Sequence, residues 1–245
     1  VGVGQAGFNV LADVGLDLNC CETLRHAAAV GKDGPLVCEG DIRKVEPLKL
    51  LEMVSRKPGE VDLLFGGPPC QSFSLIGKQK ALADERGMLL FQMARFAEAL
   101  QPKVVQMEQV KGLLSARDAA GRRGGVIDRL LAEFERIGYV AKYRVCLAAD
   151  YGVPQLRERV FLVATRGRNG FQFPNPTHAA PERADTLFPL KPYVTVGEVL
   201  AGLGKPHAKA NGRTVYGDEC WNHVDVTPAR DRERIHPVPE GSYLA

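Results

Sequence analysis

The sequence predicts an α/β fold with a mostly parallel sheet that helices cover on both faces. Short β-rich runs alternate with amphipathic stretches up to about residue 165. Strands that alternate with helices are typical of βαβ units, in which ligands bind at the carboxyl ends of the strands. From about residue 171 prolines become frequent and the periodicity is lost, which indicates an exit from the α/β part.

Three apolar runs are predicted to be buried strands, and four stretches are predicted to be helices. The strands lie at 61–65, 104–107 and 159–164. Helical spacing places two sets of apolar side chains on single faces, namely Leu89, Met93, Phe96, Ala97 and Leu100, and Ile127, Leu130, Leu131, Phe134 and Ile137. An earlier helix would be capped by Asn19 with Glu22 three residues on, and a short helix is predicted at 196–203.

Composition excludes several classes of protein. Apolar residues make up 45% and charged residues 25%, as in ordinary globular proteins. No apolar run approaches the roughly 18 residues that a membrane span needs, and no secretory signal is present. The six cysteines lack the spacing of a zinc site, so we expect free thiols, no metal and a reducing, cytoplasmic compartment. A net charge of +3 permits a nucleic-acid partner without establishing one.

The most informative segment is 65–74, which reads Phe-Gly-Gly-Pro-Pro-Cys-Gln-Ser-Phe-Ser. A predicted strand runs into two glycines and two prolines, and Cys70 follows. Because proline fixes φ and stiffens the backbone, the cysteine would be held in a defined place at the carboxyl end of a strand. For an arbitrary Pro-Cys pair the simpler interpretation is a structural turn with a buried cysteine, but ten residues in this order are far less probable by chance.

This segment resembles the Pro-Cys-Gln nucleophile motif of the DNA (cytosine-5)-methyltransferase family. Further resemblances follow along the chain: Glu108-Gln-Val is similar to the family's Glu-Asn-Val motif, and Gln155-Leu-Arg-Glu-Arg to its Gln-x-Arg-x-Arg motif. Gly40-Asp-Ile resembles the turn that meets the adenine of S-adenosylmethionine. Segments 84–87, 149–154 and 173–178 are also similar to family sequences, so the resemblance covers about residues 5–200.

The resemblance implies a Rossmann-like, S-adenosylmethionine-dependent methyltransferase. Its expected reaction is methyl transfer to C5 of cytosine in double-stranded DNA, through a covalent cysteine–C6 adduct on a base flipped out of the helix. It implies a cofactor- and base-binding catalytic domain over 1–170, a Pro-rich linker over 171–192 and the start of a target-recognition region over 193–245. We expect a monomer that serves restriction-modification in the cytoplasm of a bacterial cell or a phage-infected host.

The family's motifs also imply three groups of site residues. The expected catalytic residues are Cys70, Glu108, Arg157 and Arg159. The expected contacts to S-adenosylmethionine are Asp17, Asp41, Ile42, Gly67 and Pro69. The expected contacts to the substrate are Gln71, Ser72, Ser74 and Gln155, and no metal is expected.

The chemistry independently requires these residue types. Cytosine C5 is a poor nucleophile until a group adds at C6, and a cysteine with a pKa of about 8.5 has a usable thiolate fraction for that addition. Negative charge then builds on the ring. An acid near N3 and an arginine near O2 would stabilise this charge, and Glu108 and Arg159 are suited to these two roles, respectively. Arg157 would brace the nucleophile loop.

Several features depart from the family pattern. Gly15 stands where an acid usually contacts the ribose hydroxyls, and Gln109 stands where asparagine is usual. Because the longer amide adds a methylene in a close-packed place, we expect Gln109→Asn to restore or raise activity. The chain is also expected to lack the family's first strand and glycine loop, and to end within the target-recognition region.

Three other functions remain open from the sequence. The same chemistry on transfer RNA is one, although the Cys-Phe-Thr typical of such enzymes is not found. A catalytically impaired DNA-binding relative is the second, because of Gly15 and Gln109. The third is a nicotinamide-dependent oxidoreductase, which rests only on the G-x-G-x-x-G spacing at 2–7.

Overall fold

The computed structural model describes residues 2–29, 34–69, 89–167, 170–180 and 190–201. Within these residues the strands are β1 (Ala12–Gly15), β2 (Leu36–Glu39), β3 (Leu63–Gly66), β4 (Val104–Gln109), β5 (Tyr139–Leu147), β6 (Glu158–Arg166), β7 (His178–Ala179) and β8 (Lys191–Pro192). The helices are α1 (Gly2–Gln5), α2 (Leu18–Ala29), α3 (Pro47–Met53), α4 (Leu89–Leu100), α5 (Gly125–Arg136) and α6 (Val196–Leu200). Short 3-10 helices span Lys111–Ser115 and Ala148–Tyr151.

The described strands pair in both directions. β1 pairs with β2 and β3 with β4 in parallel, whereas β6 lies antiparallel between β4 and β5 in the order β3-β4-β6-β5. The α/β prediction is confirmed, but β1 and β2 form a two-stranded sheet of their own, and the four-stranded sheet is mixed rather than mostly parallel. The reason is the connection between β5 and β6: segment 148–157 holds a single 3-10 turn, which is too short for the crossover that a parallel pair needs.

The predicted helical faces form the main core. Apolar side chains of α4 and α5 pack onto one face of the sheet formed by β4 and β6. The fully buried residues of this core include Leu90, Ala97, Val126, Leu130, Phe134, Val105, Met107, Leu162 and Ala164. A second cluster joins α3 to the far side of α4 through Leu51, Phe96 and Leu100. Both predicted faces are therefore confirmed as buried, and α4 contributes to both clusters.

The cap of α2 differs from the prediction. The helix begins at Leu18, and a carboxylate oxygen of Asp17 accepts a hydrogen bond from the backbone N–H of Cys20 at 2.8 Å. Asn19 instead lies inside the first turn. An aspartate at the N-cap position satisfies one of the free N–H groups at the helix start, so Asp17 rather than Asn19 is the cap.

The segment after β6 packs back against the 3-10 turn at Ala148–Tyr151. The Tyr193 hydroxyl donates to a carboxylate oxygen of Asp150 at 2.6 Å, and the Thr177 N–H donates to the Asp150 carbonyl at 2.9 Å. The His178 ring lies so close to Gly152, whose φ is +83°, that a Cβ there would be 2.7 Å from the ring. These contacts attach Thr177, His178 and Tyr193 to the turn that precedes Gln155.

The last predicted helix is present as α6, with Thr195 and Glu198 forming a capping box. Its predicted residues beyond 201 lie outside the described part. Among the helices described, none is long and apolar enough to cross a membrane.

We predict that Tyr139→Phe lowers the free energy of unfolding by about 1 to 2 kcal/mol, because the variant leaves the Pro102 carbonyl without its partner. The Tyr139 hydroxyl donates to that buried carbonyl at 2.6 Å. Burial raises the pKa of Tyr139 to about 12, so its stabilising effect is complete below about pH 10 and is lost as the pH rises through 12. Urea unfolding at pH 7 and at pH 11 measures both effects. Equal stability of the two proteins at pH 7 would contradict the prediction.

Candidate active site

Strand β4 carries two neighbouring polar side chains to opposite faces of the sheet. Along the strand Val105, Met107 and Gln109 are buried, and the residues between them are partly exposed. Side chains alternate across a strand, so Glu108 lies on one face and Gln109 on the other. Both lie at the carboxyl end of β4, beside the carboxyl end of β3.

On the open face, Glu108 forms an ion pair with Arg159. The Nε of Arg159 lies 2.7 Å from a carboxylate oxygen of Glu108, and the two side chains are 23% and 33% exposed, respectively. The sheet register explains the contact: Glu108 is paired with Phe161, so Arg159, two residues along β6, occupies the diagonal position on the same face. The ion pair is therefore accessible from the carboxyl edge of the sheet.

The Glu108 carboxylate also lies near Gly67, three residues before Cys70 in the sequence. A Cβ built on Gly67 would lie 3.6 Å from the other carboxylate oxygen of Glu108. The structure thus brings together Gly67, Glu108 and Arg159, three of the residues that the sequence assigned to the site. Cys70, Gln71, Ser72 and Ser74 lie outside the described residues.

On the buried face, Gln109 holds the same loop. Its side-chain Nε2 donates to the Pro68 carbonyl at 2.7 Å, and the residue is only 2% exposed. The amide oxygen Oε1 is buried without a hydrogen-bond partner among the described residues. The Gln109 amide therefore holds the loop through a hydrogen bond, a contact that was not predicted from the sequence.

The Gln155–Arg159 segment is a tight turn that enters β6. The Gln155 carbonyl accepts the N–H of Arg157, and the Arg157 carbonyl accepts the N–H of Ala148, both at 2.9 Å. Gln155 and Arg157 are exposed. Glu158 pairs with Lys111 at 2.9 Å, which links the start of β6 to the 3-10 turn after β4. The ion pair between Glu158 and Lys111 was not predicted from the sequence.

The proposed cofactor residues lie at the carboxyl ends of β1 and β2. The Gly40 N–H donates to the Gly15 carbonyl at 2.8 Å, so these two strand ends are adjacent. Asp17 follows β1, and Asp41 and Ile42 follow β2. Pro69 is exposed after the end of β3. The two carboxylates are chemically suited to the hydroxyl, amine and cationic groups of S-adenosylmethionine, so the residues present fit that cofactor.

Asp41 is held by its neighbour. Its carboxylate accepts hydrogen bonds from the Arg43 guanidinium, the shortest 2.6 Å, and from the Arg43 N–H at 3.0 Å. These bonds lower the pKa of Asp41 to about 2. The carboxylate is therefore ionised throughout the neutral range, and its orientation is fixed.

Gly15 has a structural reason to lack a side chain. A Cβ there would lie 3.1 Å from the Sγ of Cys21, which is fully buried at the start of α2 and contacts the Gly15 carbonyl. An acid at this position would require Cys21 to shift. A side chain at residue 15 would thus crowd the buried Cys21 thiol.

We predict that Gln109→Met reduces the methyl-transfer rate implied by the resemblance about tenfold, a loss of roughly 1.4 kcal/mol, while stability changes by less than about 1 kcal/mol. The variant loses the bond to Pro68 but also removes the unpartnered Oε1, so the two effects on stability oppose one another. Against the expectation from the sequence, Gln109→Asn should also slow the reaction, because its shorter side chain withdraws the amide from Pro68.

The matched control is Gln106→Met, on the same strand but on the other face. Single-turnover rates and urea unfolding would be measured for all three variants. A rate for Gln109→Met equal to that of Gln106→Met would show that the Pro68 contact does not position the loop.

Comparisons with known proteins identify the family. A model of C-5 cytosine-specific DNA methylases matches residues 1–230. The Type II methyltransferase M.AquIA of Picosynechococcus sp. is 39% identical over 83% of this chain and 83% of its own length. M.NgoFVII of Neisseria gonorrhoeae is 36% identical over 97% of this chain, and the match covers 60% of that relative's length. M.SacI of Streptomyces achromogenes is 35% identical over 78% of this chain, and the match covers 49% of that relative's length.

A solved structure supports the same fold. It is a provisionally assigned DNA modification methyltransferase encoded within an E. coli prophage, with a TM-score of 0.62 at 21% identity over 99% of this chain and 62% of its own. With the family match over nearly the whole sequence, the fold and the site geometry lead to one conclusion. The chain belongs to the family of C-5 cytosine-specific DNA methylases.

Proposed function

We propose that this protein transfers a methyl group from S-adenosylmethionine to C5 of cytosine in double-stranded DNA. The observation that carries the proposal is the Glu108–Arg159 ion pair, which lies beside Gly67 at the entrance to the Cys70 loop. An acid and a guanidinium at one strand edge, next to a loop that leads to a cysteine, are the groups that activation of the cytosine ring requires. The residue roles below are part of the proposal.

Cys70 is the nucleophile. Its thiolate adds to C6 of the base, the C5–C6 double bond opens, and the displaced electron density moves toward N3 and O2. Glu108 must carry a proton at this step; it donates that proton to N3 and recovers it when the Cys70 adduct breaks down, while Arg159 donates to O2. Their ion pair holds both groups in place before the base arrives, so little reorganisation is needed during the reaction. C5 thereby becomes nucleophilic.

The reaction ends when C5 loses its proton to a base and the electron pair expels the Cys70 thiolate from C6. This restores the ring's double bond and frees the enzyme for another turnover. Because C6 is inaccessible inside a stacked duplex, the target base must leave the helix. Gln71, Ser72, Ser74 and Gln155 would contact the flipped nucleotide and its strand, and Arg157 would brace the loop.

S-adenosylmethionine, when bound, supplies the methyl group. Asp17, Asp41, Ile42, Gly67 and Pro69 would hold it along the carboxyl edge of β1, β2 and β3. Asp41 offers a fixed, ionised carboxylate. Since Gly15 offers no carboxylate, the ribose side of the cofactor has one fewer acceptor than the family pattern provides.

The biological setting that we propose is a bacterial restriction-modification system. Its support is that the three relatives above are Type II methyltransferases. The recognised DNA sequence would be set by base-edge contacts from other parts of the protein.

We predict that the full-length protein becomes covalently trapped on duplex DNA containing 5-fluorocytosine when S-adenosylmethionine is present. Fluorine at C5 cannot leave as a proton does, so the Cys70–C6 bond persists after methyl transfer. Peptide mapping should find the adduct at Cys70, and Cys70→Ser should abolish both the adduct and turnover.

The control variant is Cys146→Ser, which alters a free cysteine on β5. It should trap DNA like the wild type. An adduct that persists in Cys70→Ser, or that maps to Cys146, would refute the proposed nucleophile. Trapping on 5-fluorocytosine transfer RNA in place of the duplex would refute the proposed substrate.

A further inference from the structure

Arg95 of α4 reaches across to the turn that follows β2. Its Nη2 donates to the Ile42 carbonyl at 2.6 Å and to the Val45 carbonyl at 3.0 Å, across 53 and 50 positions of the sequence. The Nε of Arg95 is oriented by Gln92, whose Oε1 accepts its hydrogen bond at 2.7 Å. The guanidinium is partly buried and lies 4.9 Å from the centroid of the Phe96 ring.

These bonds fix the backbone of the turn. A hydrogen bond from a cation is shorter and stronger than one between neutral groups, and one guanidinium here serves two carbonyls. The side chains of Ile42 and Val45 pack on the cluster of Leu51, Phe96 and Leu100. Arg95 therefore holds the polar side of the turn while the cluster holds its apolar side.

The same helix also contacts the end of β3. A Cβ built on Gly66 would lie 2.8 Å from the sulfur of Met93, so α4 packs directly against the backbone there. Gly66 precedes the Gly67-Pro68-Pro69 segment that leads to Cys70. Helix α4 thus touches both the turn after β2 and the start of the nucleophile loop.

We infer that Arg95 is a positioning residue for S-adenosylmethionine, which it serves by holding the Asp41–Ile42 turn at a set place relative to segment 66–69. This inference rests on the proposed function, because it takes that turn to be the cofactor's binding site. The hydrogen bonds of Arg95 go to Gln92, Ile42 and Val45, none of which is an expected catalytic side chain. Arg95 acts through the backbone of Ile42, so its loss should affect the methyl donor and spare the nucleophile.

The test compares Arg95→Met with Arg95→Lys in the full-length protein. Calorimetric titration should show S-adenosylmethionine binding weakened about tenfold or more in Arg95→Met. Arg95→Lys should recover part of that loss, because one ammonium still donates to a carbonyl. Arg129→Met is the matched control: this exposed arginine of α5 lies over the Phe91 ring, away from the turn, and should bind the cofactor like the wild type.

A second readout separates positioning from a general loss of structure. Addition of Cys70 to C6 allows the C5 hydrogen of tritiated cytosine DNA to exchange with water without any methyl donor. Arg95→Met should retain this exchange rate and the DNA affinity within threefold, while its KM for S-adenosylmethionine rises. If Arg95→Met does not fold, Gln92→Leu, which removes only the partner of Nε, should raise the cofactor Kd about threefold.

The inference would be overturned if Arg95→Met bound the cofactor with an affinity within threefold of the wild type. If Arg95→Met does not fold, an unchanged Kd in Gln92→Leu would overturn it. An equal loss of exchange and of cofactor binding would also overturn it, since a collapse of the site would then explain both. Absence of exchange in the wild type would instead refute the proposed function, so the two failures are distinguishable.

Discussion

The site depends on the alternation of side chains along β4. This strand is hydrogen-bonded on both sides, to β3 in parallel and to β6 in antiparallel register, so its side chains cannot rotate to the other face without breaking two ladders. Glu108 therefore faces Arg159 on the open side, while Gln109 enters the buried side and binds Pro68. Two adjacent residues thus act on one loop from opposite faces of the sheet.

Arg43, Arg159 and Arg95 bind different kinds of partner. Arg43 binds the Asp41 carboxylate and lowers its pKa to about 2. Arg159 pairs with Glu108, and both side chains are only partly buried. Arg95 instead binds two backbone carbonyls and so fixes a turn rather than a charge. A guanidinium suits each of these functions, because its several N–H donors lie in a fixed plane.

Much of this arrangement could be predicted from the sequence, because it follows from local patterns. The apolar periodicity of α4 and α5 located the core, and the order of motifs placed Glu108 and Arg159 near one another. Contacts between distant segments were not predictable. Nothing in the pattern around Arg95 specifies carbonyl groups 50 residues away, and the partner of Gln109 depends on how β3 and β4 align. Strand β5 was missed because it is largely exposed, so it lacks a buried apolar run.

The most direct test of the proposed mechanism uses the Glu108→Gln variant. The measurement is its single-turnover rate of methyl transfer to C5 of cytosine in duplex DNA. Glutamine keeps the shape of the side chain but cannot supply a proton or pair with Arg159 as an anion. The rate should fall about a hundredfold or more, with DNA affinity unchanged. Glu158→Gln, which disrupts the neighbouring exposed ion pair with Lys111, serves as the control and should stay near the wild-type rate. A rate for Glu108→Gln within threefold of the wild type would contradict the account.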